Sequence, residues 1–423
     1  MGVGFLLTPT TFLDDCHADC GDFFTLRPAR DRTLVFTADP GAIRQVFTGD
    51  PAHLHAGAGN VVLGPILGSG SILLLDGREH LRHRRLLLAP FHGDRMRAHA
   101  DTMREVAERH VAGWPRGRRF GVLPSMQAIT LEIILRAVFG VTDATQMARL
   151  GEPLRQLLDM VGTPRKVLAL GLTATRTTGP LSPWRRFAHA RAVADRVIHE
   201  EIRSRRRELD AGGPGRDDIF SMLVAARDED GRALTDEELR DELMTLLVAG
   251  HETTATALAW TLERVTRHPA VLARLRSEQE SGEGTSYLDA VIKETLRLRP
   301  VVPAVVRQLQ QPMTFGPWDL PAGVHIAPSI YLLHRRADLY PDPTAFRPER
   351  FLERTPGTYE WIPFGGGVRR CLGASFALLE MREVLSIVLR DAAPRPQAAR
   401  AESTTRRAIT FAPARGGKLL VGA

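Results

Sequence analysis

Three long stretches repeat apolar residues every three or four positions, the spacing that lines one face of an α-helix. They are TMREVAERHVAGW at 102–114, MQAITLEIILRAVFG at 126–140 and RRFAHARAVADRVIHEEIRSRRREL at 185–209. A fourth, LMTLLVAGHETTATALAW at 243–260, sets an acid, the adjacent hydroxyls of Thr253 and Thr254 and a glycine among leucines. Thr235 and Glu238 stand three apart ahead of it as a capping box, and a helix is predicted from there to about His268. At 1.5 Å per residue it is roughly 50 Å long, enough to cross the molecule. Strand-like pieces are short and fall in two places. One runs from FFTLRP to TLVFTAD near the start, the other from AVVRQLQ through GVHIAPSIYLL at 304–333. The pattern predicts a mostly α protein with small peripheral β-sheets.

Between these elements, residues 55–71 are glycine-rich and residues 160–184 are broken by proline and glycine. Both read as mobile connections of the kind that often serve as lids. Residues 210–218 read as a plain linker between helices.

Of the 423 residues, 43% are hydrophobic and 25% charged, an ordinary globular balance. A core of that size needs no disulfides, and three cysteines, an odd number, suit a reducing cytosol. The apolar start at 4–7 stops at Pro9, short of the roughly 20 residues of a membrane span or the 7–15 of a signal peptide. The expectation is a soluble, cytoplasmic monomer with no membrane anchor. The net charge is +7, and all basic residues except Lys166, Lys293 and Lys418 are arginine. No basic stripe interleaved with aromatics and no zinc-finger spacing accompanies that charge, so nucleic acid is not an expected partner.

Three apparent motifs fail on spacing. GAGNVVLG has Val62 where a dinucleotide loop needs its third glycine, and HETTA has Ala255 where a zinc protease needs its second histidine. Cys16, His17 and Cys20 form an incomplete ligand set that reads better as a helix face.

Chemistry concentrates at 363–373, PFGGGVRRCLG. The stretch after Cys371 carries Leu372, Phe376, Leu379 and Val384 in a helical stripe, which places the thiol just before a helix N-terminus. Unpaired amides and the helix dipole there favour a thiolate. The neighbouring glycines let the backbone pass close to something flat and bulky, and Arg369 can reach an acidic group at its edge. A thiolate beneath a flat ligand with acids at its edge suggests haem.

From Phe364 to Gly373 the chain resembles the ligand loop of the cytochromes P450, F-G-x-G-x-R-x-C-x-G, at every fixed position. Three further motifs follow the family's order, so the resemblance covers nearly the whole chain. It implies the cytochrome P450 fold, one domain over 1–423 around a buried haem b (iron protoporphyrin IX). Residues 1–55 and 304–333 would supply its β-rich part, with 72–303 and 334–395 mostly helical. Cys371 is implied as the iron ligand within a loop that includes Pro363, Gly365 and Gly373, with Phe364 shielding the sulfur. His80, Arg84, Arg307 and Arg369 are implied partners of the haem propionates. Ala249 and Gly250 begin the family's oxygen-binding stretch, where the glycine is expected to let the helix widen. Glu252 and Thr253 are its acid–alcohol pair, handling protons during oxygen activation. Glu294, Arg297 and Arg350 match the family's buried Glu–Arg–Arg network.

The implied activity is a monooxygenase that hydroxylates, epoxidises or otherwise oxidises a sizeable apolar molecule such as a fatty acid, terpenoid, steroid or polyketide. The acid–alcohol pair argues against a peroxygenase, because peroxide arrives with its protons. Val61, Leu63, Ile66, Leu170, Leu172 and Ile409 are the expected apolar lining. The motifs leave no room for a flavin or iron–sulfur domain. Electrons are therefore expected from an acidic ferredoxin or flavodoxin with an NAD(P)H reductase, docking on Arg82, Arg85 and Arg370.

Overall fold

A computed structural model of the chain describes residues 4–5, 8–29, 32–91, 95–162, 166, 182–212, 216, 218–282, 284–397 and 400–422. In chain order the first half comprises α1 (Pro9–Cys20), β1 (Phe23–Ala29), β2 (Arg32–Thr37), α2 (Pro40–Thr48), β3 (Leu54–His55), α3 (Gly64–Leu67) and α4 (Gly77–Leu88). Then come α5 (Arg95–Ala112), β4 (Arg119–Gly121), α6 (Leu123–Phe139), α7 (Ala144–Val161), α8 (Pro183–Asp210), α9 (Ile219–Ala225) and α10 (Asp236–Arg267). The second half holds α11 (Pro269–Ser281), α12 (Ser286–Leu298), β5 (Arg307–Leu309), β6 (Met313–Phe315), β7 (Trp318–Leu320), β8 (His325–Pro328), α13 (Ile330–Leu333) and α14 (Arg350–Glu353). α15 (Ala374–Ile387), β9 (Thr404–Arg407), β10 (Thr410–Pro413) and β11 (Lys418–Leu420) complete it. Among the described residues no single helix is long and apolar enough to cross a membrane.

The capping box forms as predicted: Glu238 N donates to Thr235 Oγ1 at 3.1 Å and Thr235 N to Glu238 Oε2 at 2.7 Å. Three acids in the first turn of α10 and two arginines in its last turn match the helix dipole. α10 is buried along most of its length and packs on α6, α8, α12 and α15. The main sheet runs β1-β2-β8-β5-β3, parallel only between β2 and β8. Its register sets Arg307 of β5 opposite Ile326 of β8.

The structure departs from the sequence expectations in three places. Residues 330–333 are helix rather than strand, because the Ser329 hydroxyl accepts the Leu332 N–H and caps a turn there. The C-terminal segment forms strands β9 to β11, outside the two places where the sequence pattern put strands. Residues 55–71 are tied down rather than loose. Asp76 accepts the N–H groups of Ala56, Gly57 and Ala58, Gly70 N donates to Asp241 of α10, and Arg240 donates to Leu67 O. Most of 160–184, with Leu170 and Leu172, lies outside the described residues.

Behind α10 the Glu–Arg–Arg network is closed and dry. Arg297 uses all five of its N–H donors: two to Glu294, and one each to the carbonyls of His334, Pro343 and Ala345. Arg350 Nε donates to Glu294 Oε1 at 3.1 Å, and Glu294 and Arg297 are wholly buried. Removing one partner strands a buried charge, which costs about 3–5 kcal/mol. Arg297→Ala should therefore lower the stability of the folded protein by about that amount in chemical denaturation. Arg297→Lys should recover only part, since an ammonium cannot satisfy three carbonyls and a carboxylate in one plane. Wild-type stability in Arg297→Ala would show the network to be dispensable.

Candidate active site

The loop before α15 is held by its own backbone. Gly365 N donates to Ile362 O, Arg370 N to Gly367 O, and Cys371 N to Phe364 O at 2.9 Å. Gly365 and Gly367 have φ of +69° and +62°, the left-handed region that favours glycine. A Cβ on Gly367 would also lie 2.0 Å from Phe47 O, so α2 fixes this side of the loop. On the other side a Cβ at Gly365 or Gly373 meets nothing within 4 Å. Pro363 and Phe364 are half-buried, with the Phe364 ring edge-on to Trp361 at 6.0 Å.

The thiol itself does not follow expectation. Cys371 has open surface beside it, yet the surrounding protein is dense enough for burial to push its pKa up. The Gly373 amide, Arg370 and Arg84 pull the other way and lose. α15 begins only at Ala374, so the dipole acts from a distance over which burial dominates. A coordinated metal ion reverses that balance, since it deprotonates a thiol ligand outright.

Four cationic or basic side chains converge nearby: His80 and Arg84 from α4, Arg307 from β5, and Arg369 from the loop, all within electrostatic reach of His80. Arg84 Nη1 donates to Arg370 O and Arg307 Nη1 to Val306 O, each at 2.9 Å. Among the described residues neither of these arginines pairs with a carboxylate. Arg369 differs, because it is spent on the protein. It donates to Ile72 O, Leu75 O and Asp76, and so pins the segment before α4. His80 is buried with no partner for Nδ1, and burial with the charges of Arg369, Arg84 and Arg307 pushes its pKa down to about 3. Burial similarly draws Arg307 down to about 10. Unpaired buried cations and an orphaned imidazole nitrogen are costly unless an anion joins them.

α10 contributes an open window in an otherwise buried helix. Leu246, Val248, Ala249, Gly250, Glu252 and Thr253 are half-buried or exposed, and of these Leu246, Ala249, Gly250 and Thr253 are spaced as one face. Thr253 Oγ1 donates to Ala249 O at 2.6 Å. The expected widening at Gly250 is absent, as α10 is continuous α-helix. The glycine serves packing instead, since a Cβ there would lie 3.1 Å from Ile134 Cδ1 of α6. Glu252 is not free either. It accepts from Arg407 Nε of β9 at 2.8 Å and from Gln127 Nε2 of α6 at 2.6 Å.

Sequence reasoning missed Asp76, Gln127 and Arg407, all recruited from distant elements by charge or amide groups that carry no motif. It also misplaced Arg82. That residue is half-buried, with all of its guanidinium nitrogens bonded to Asp228, Glu238 and Ala233 O, which leaves it little to offer a docking partner. Arg85 is exposed but paired with Glu229, while Arg370 is exposed. Of the expected lining, Val61 and Ile409 are exposed and Ile66 is buried.

A thiol ligand, glycine faces with open space before them, and arginines lacking carboxylates fit a flat, iron-bearing ring with two acids. The likeness to known proteins agrees. A family model for cytochrome P450 matches residues 5–412. Cytochrome P450 135B1 of Mycobacterium tuberculosis is 43% identical over 417 residues, covering 97% of this chain and 87% of that protein. Cytochrome P450 138 of Mycobacterium bovis is 38% identical over 423 residues, covering 99% and 93%. Among solved structures, retinoic-acid-bound cyanobacterial CYP120A1 superposes with a TM-score of 0.84 at 24% identity, over 99% of this chain and 95% of its own. The haem domain of cytochrome P450DA superposes with a TM-score of 0.84 at 25% identity, over 100% and 93%. With both the sequence relatives and the fold in agreement over almost its full length, this chain belongs to the cytochrome P450 family, the haem-thiolate monooxygenases whose cofactor is haem b.

Proposed function

We propose that this monooxygenase holds haem through Cys371 and inserts one oxygen atom of O2 into a sizeable apolar small molecule, with electrons from a separate carrier. The observation that carries the reading is the meeting of the Cys371 thiol with Arg84 and, through His80, with Arg307. His80, Arg84 and Arg307 would take the haem carboxylates, while Arg369 organises the segment they approach. Pro363, Phe364, Gly365 and Gly373 would flank the iron ligand, and Ala249 and Gly250 would face the ring from α10. The bound haem supplies the redox chemistry, and the protein binds and orients.

What remains for the chain is proton handling and exclusion of water. Thr253, with its hydrogen donated to Ala249 O, keeps its lone pairs directed outward to accept and relay a proton. Glu252 is its neighbouring acid, paired with Arg407 and oriented by Gln127, and becomes available to pass protons when that pair opens. The apolar walls, with Val61, Leu63, Ile66 and Ile409, suit a fatty acid, terpenoid, steroid or polyketide. The carrier is proposed to be an acidic ferredoxin or flavodoxin served by an NAD(P)H reductase, docking around Arg370.

Three outcomes test these assignments. Reduced, carbon-monoxide-treated protein should show the red-shifted Soret band of thiolate-ligated haem, and Cys371→His should lose it; retention of the band refutes the ligand. Thr253→Ala should slow product formation by about 10²-fold, the lower end of what a positioned proton-transfer group contributes. NAD(P)H consumption should continue in that variant and yield peroxide, whereas tight coupling would remove Thr253 from the relay. Finally, the first electron transfer should slow as salt shortens the Debye length from about 10 Å at 0.1 M to 3 Å at 1 M. Arg370→Glu should slow it further at low salt, and a rate indifferent to both changes places the docking face elsewhere.

A further inference from the structure

α4 presents His80 and Arg84 to the cofactor site, and on its adjoining flank it carries His83, which that site does not use. His83 is 1% exposed and lies between two carboxylates of α10. Its Nδ1 is 2.7 Å from Glu242 Oε1 and its Nε2 is 3.2 Å from Glu238 Oε1. Glu242 is itself wholly buried, and its Oε2 has no partner. From α4, Arg82 Nη1 sits 3.3 Å from His83 Nε2, 2.9 Å from Glu238 Oε1 and 3.8 Å from Glu79 Oε2. Arg82 Nε reaches Asp228 at 2.6 Å on the segment before α10, and Asp241 and His80 lie within electrostatic reach. Glu79, His83 and Glu238 are grouped closely enough to hold a metal ion, but the Arg82 guanidinium already lies among them as the cluster's cation.

We propose that His83 is a positioning residue for the cofactor: as an imidazolium clamped between Glu238 and Glu242, it fixes α4 on α10 and so sets His80 and Arg84 toward haem. The sequence of α4 explains why such a clamp is needed. Its buried side chains are His80, His83, Leu86 and Leu87, so apolar anchoring exists only in the last turn. The first two turns, which carry the cofactor contacts, are held by polar groups alone. A neutral His83 would leave Glu238 and Glu242, one turn apart on the same helix, without the cation that α4 sets between them, so that Arg82 alone would carry the charge pairing that joins α4 to α10.

The clamp also has a direction in pH. Burial alone lowers the His83 pKa, but the hydrogen bonds and charges of Glu242 and Glu238 outweigh it and raise the value above 6.5. Burial holds Glu242 up to about 7 against the pull of His83. Both groups therefore keep protons in the folded protein beyond the pH at which the unfolded chain releases them. The Glu242 contribution is complete only below its ordinary value of 4.5 and is lost as pH rises through about 7, whereas that of His83 is complete below 6.5 and lost above it, so the alkaline part of the decline belongs to His83. The two titrate as a pair, so one alkaline limb is expected rather than two.

The inference rests on the assignment of His80 and Arg84 to haem, and the two can fail separately. Haem transfer from the holoprotein to excess apomyoglobin measures retention without turnover. Wild-type loss should be slow at pH 6 and rise at least about fivefold by pH 9, following that proton release. His83→Gln should lose haem quickly at every pH, with no alkaline rise, and His83→Lys, a cation to higher pH, should move the rise upward. A flat wild-type profile, or a His83→Gln profile that matches the wild type, overturns the clamp. If His83→Gln does not fold with haem, a wild-type rise that His83→Lys moves upward sustains the proposal, and an unmoved one overturns it. His80→Ala tests the underlying assignment, since haem loss unchanged in that variant removes His80 from the cofactor site whatever His83 does.

Discussion

α10 must be buried on nearly every side and yet open in the middle. A helix of 32 residues crossing the molecule gains most of its stability from packing, and its neighbours α6, α8, α12 and α15 supply that. The opening at Leu246, Ala249, Gly250 and Thr253 removes packing where it would otherwise be densest. The surrounding structure compensates for the gap. Gly250 lets Ile134 approach, Asp241 and Arg240 bind the 66–70 segment, and the capping box fixes the start of the helix. Each of these contacts holds α10 against its neighbours on either side of the opening.

The second constraint is charge. A ring with two acids needs cations that the protein itself leaves unpaired, and unpaired buried cations destabilise the chain that carries them. Arg84 and Arg307 meet that cost by donating to single backbone carbonyls, while Arg369 takes Asp76 as its partner. Asp76 in turn collects three amides from 56–58, so this carboxylate organises backbone more than it neutralises charge. The arrangement leaves the site positive overall and the segment around it rigid.

How much of this was legible in the sequence depended on contiguity. The Cys371 loop could be read because its glycines, arginines and thiol lie within eleven residues, each needed for backbone reasons that hold locally. The capping box and Glu294–Arg297 could be read because helical spacing brings them together without any tertiary knowledge. Arg407 with Glu252, and His83 with Glu238 and Glu242, could not, since each pair spans about 155 or more residues and either partner had many alternatives of the right sign. Arg82 was misread for the same reason: its charge was visible but its burial was not. Even the thiol was only half legible, because the helix start that lowers its pKa was visible and the dense surroundings that raise it were not.

The contiguity of His251, Glu252, Thr253 and Thr254 has a geometric reason. Successive residues on an α-helix point about 100° apart, so four in a row sweep most of its circumference. His251 turns to α6, where Nδ1 meets Thr130 Oγ1 at 2.9 Å, and burial with the charge of Arg407 brings its pKa down to about 4. Glu252 turns to β9 and Arg407, Thr253 to the open window, and Thr254 to Glu380 of α15, whose buried carboxyl is raised well above its usual range. One turn of helix thus touches α6, the C-terminal hairpin, the open window and α15, with a different polar partner at each contact. Four consecutive residues therefore meet four different surroundings, which is why a short polar stretch stands where packing alone would have placed leucines.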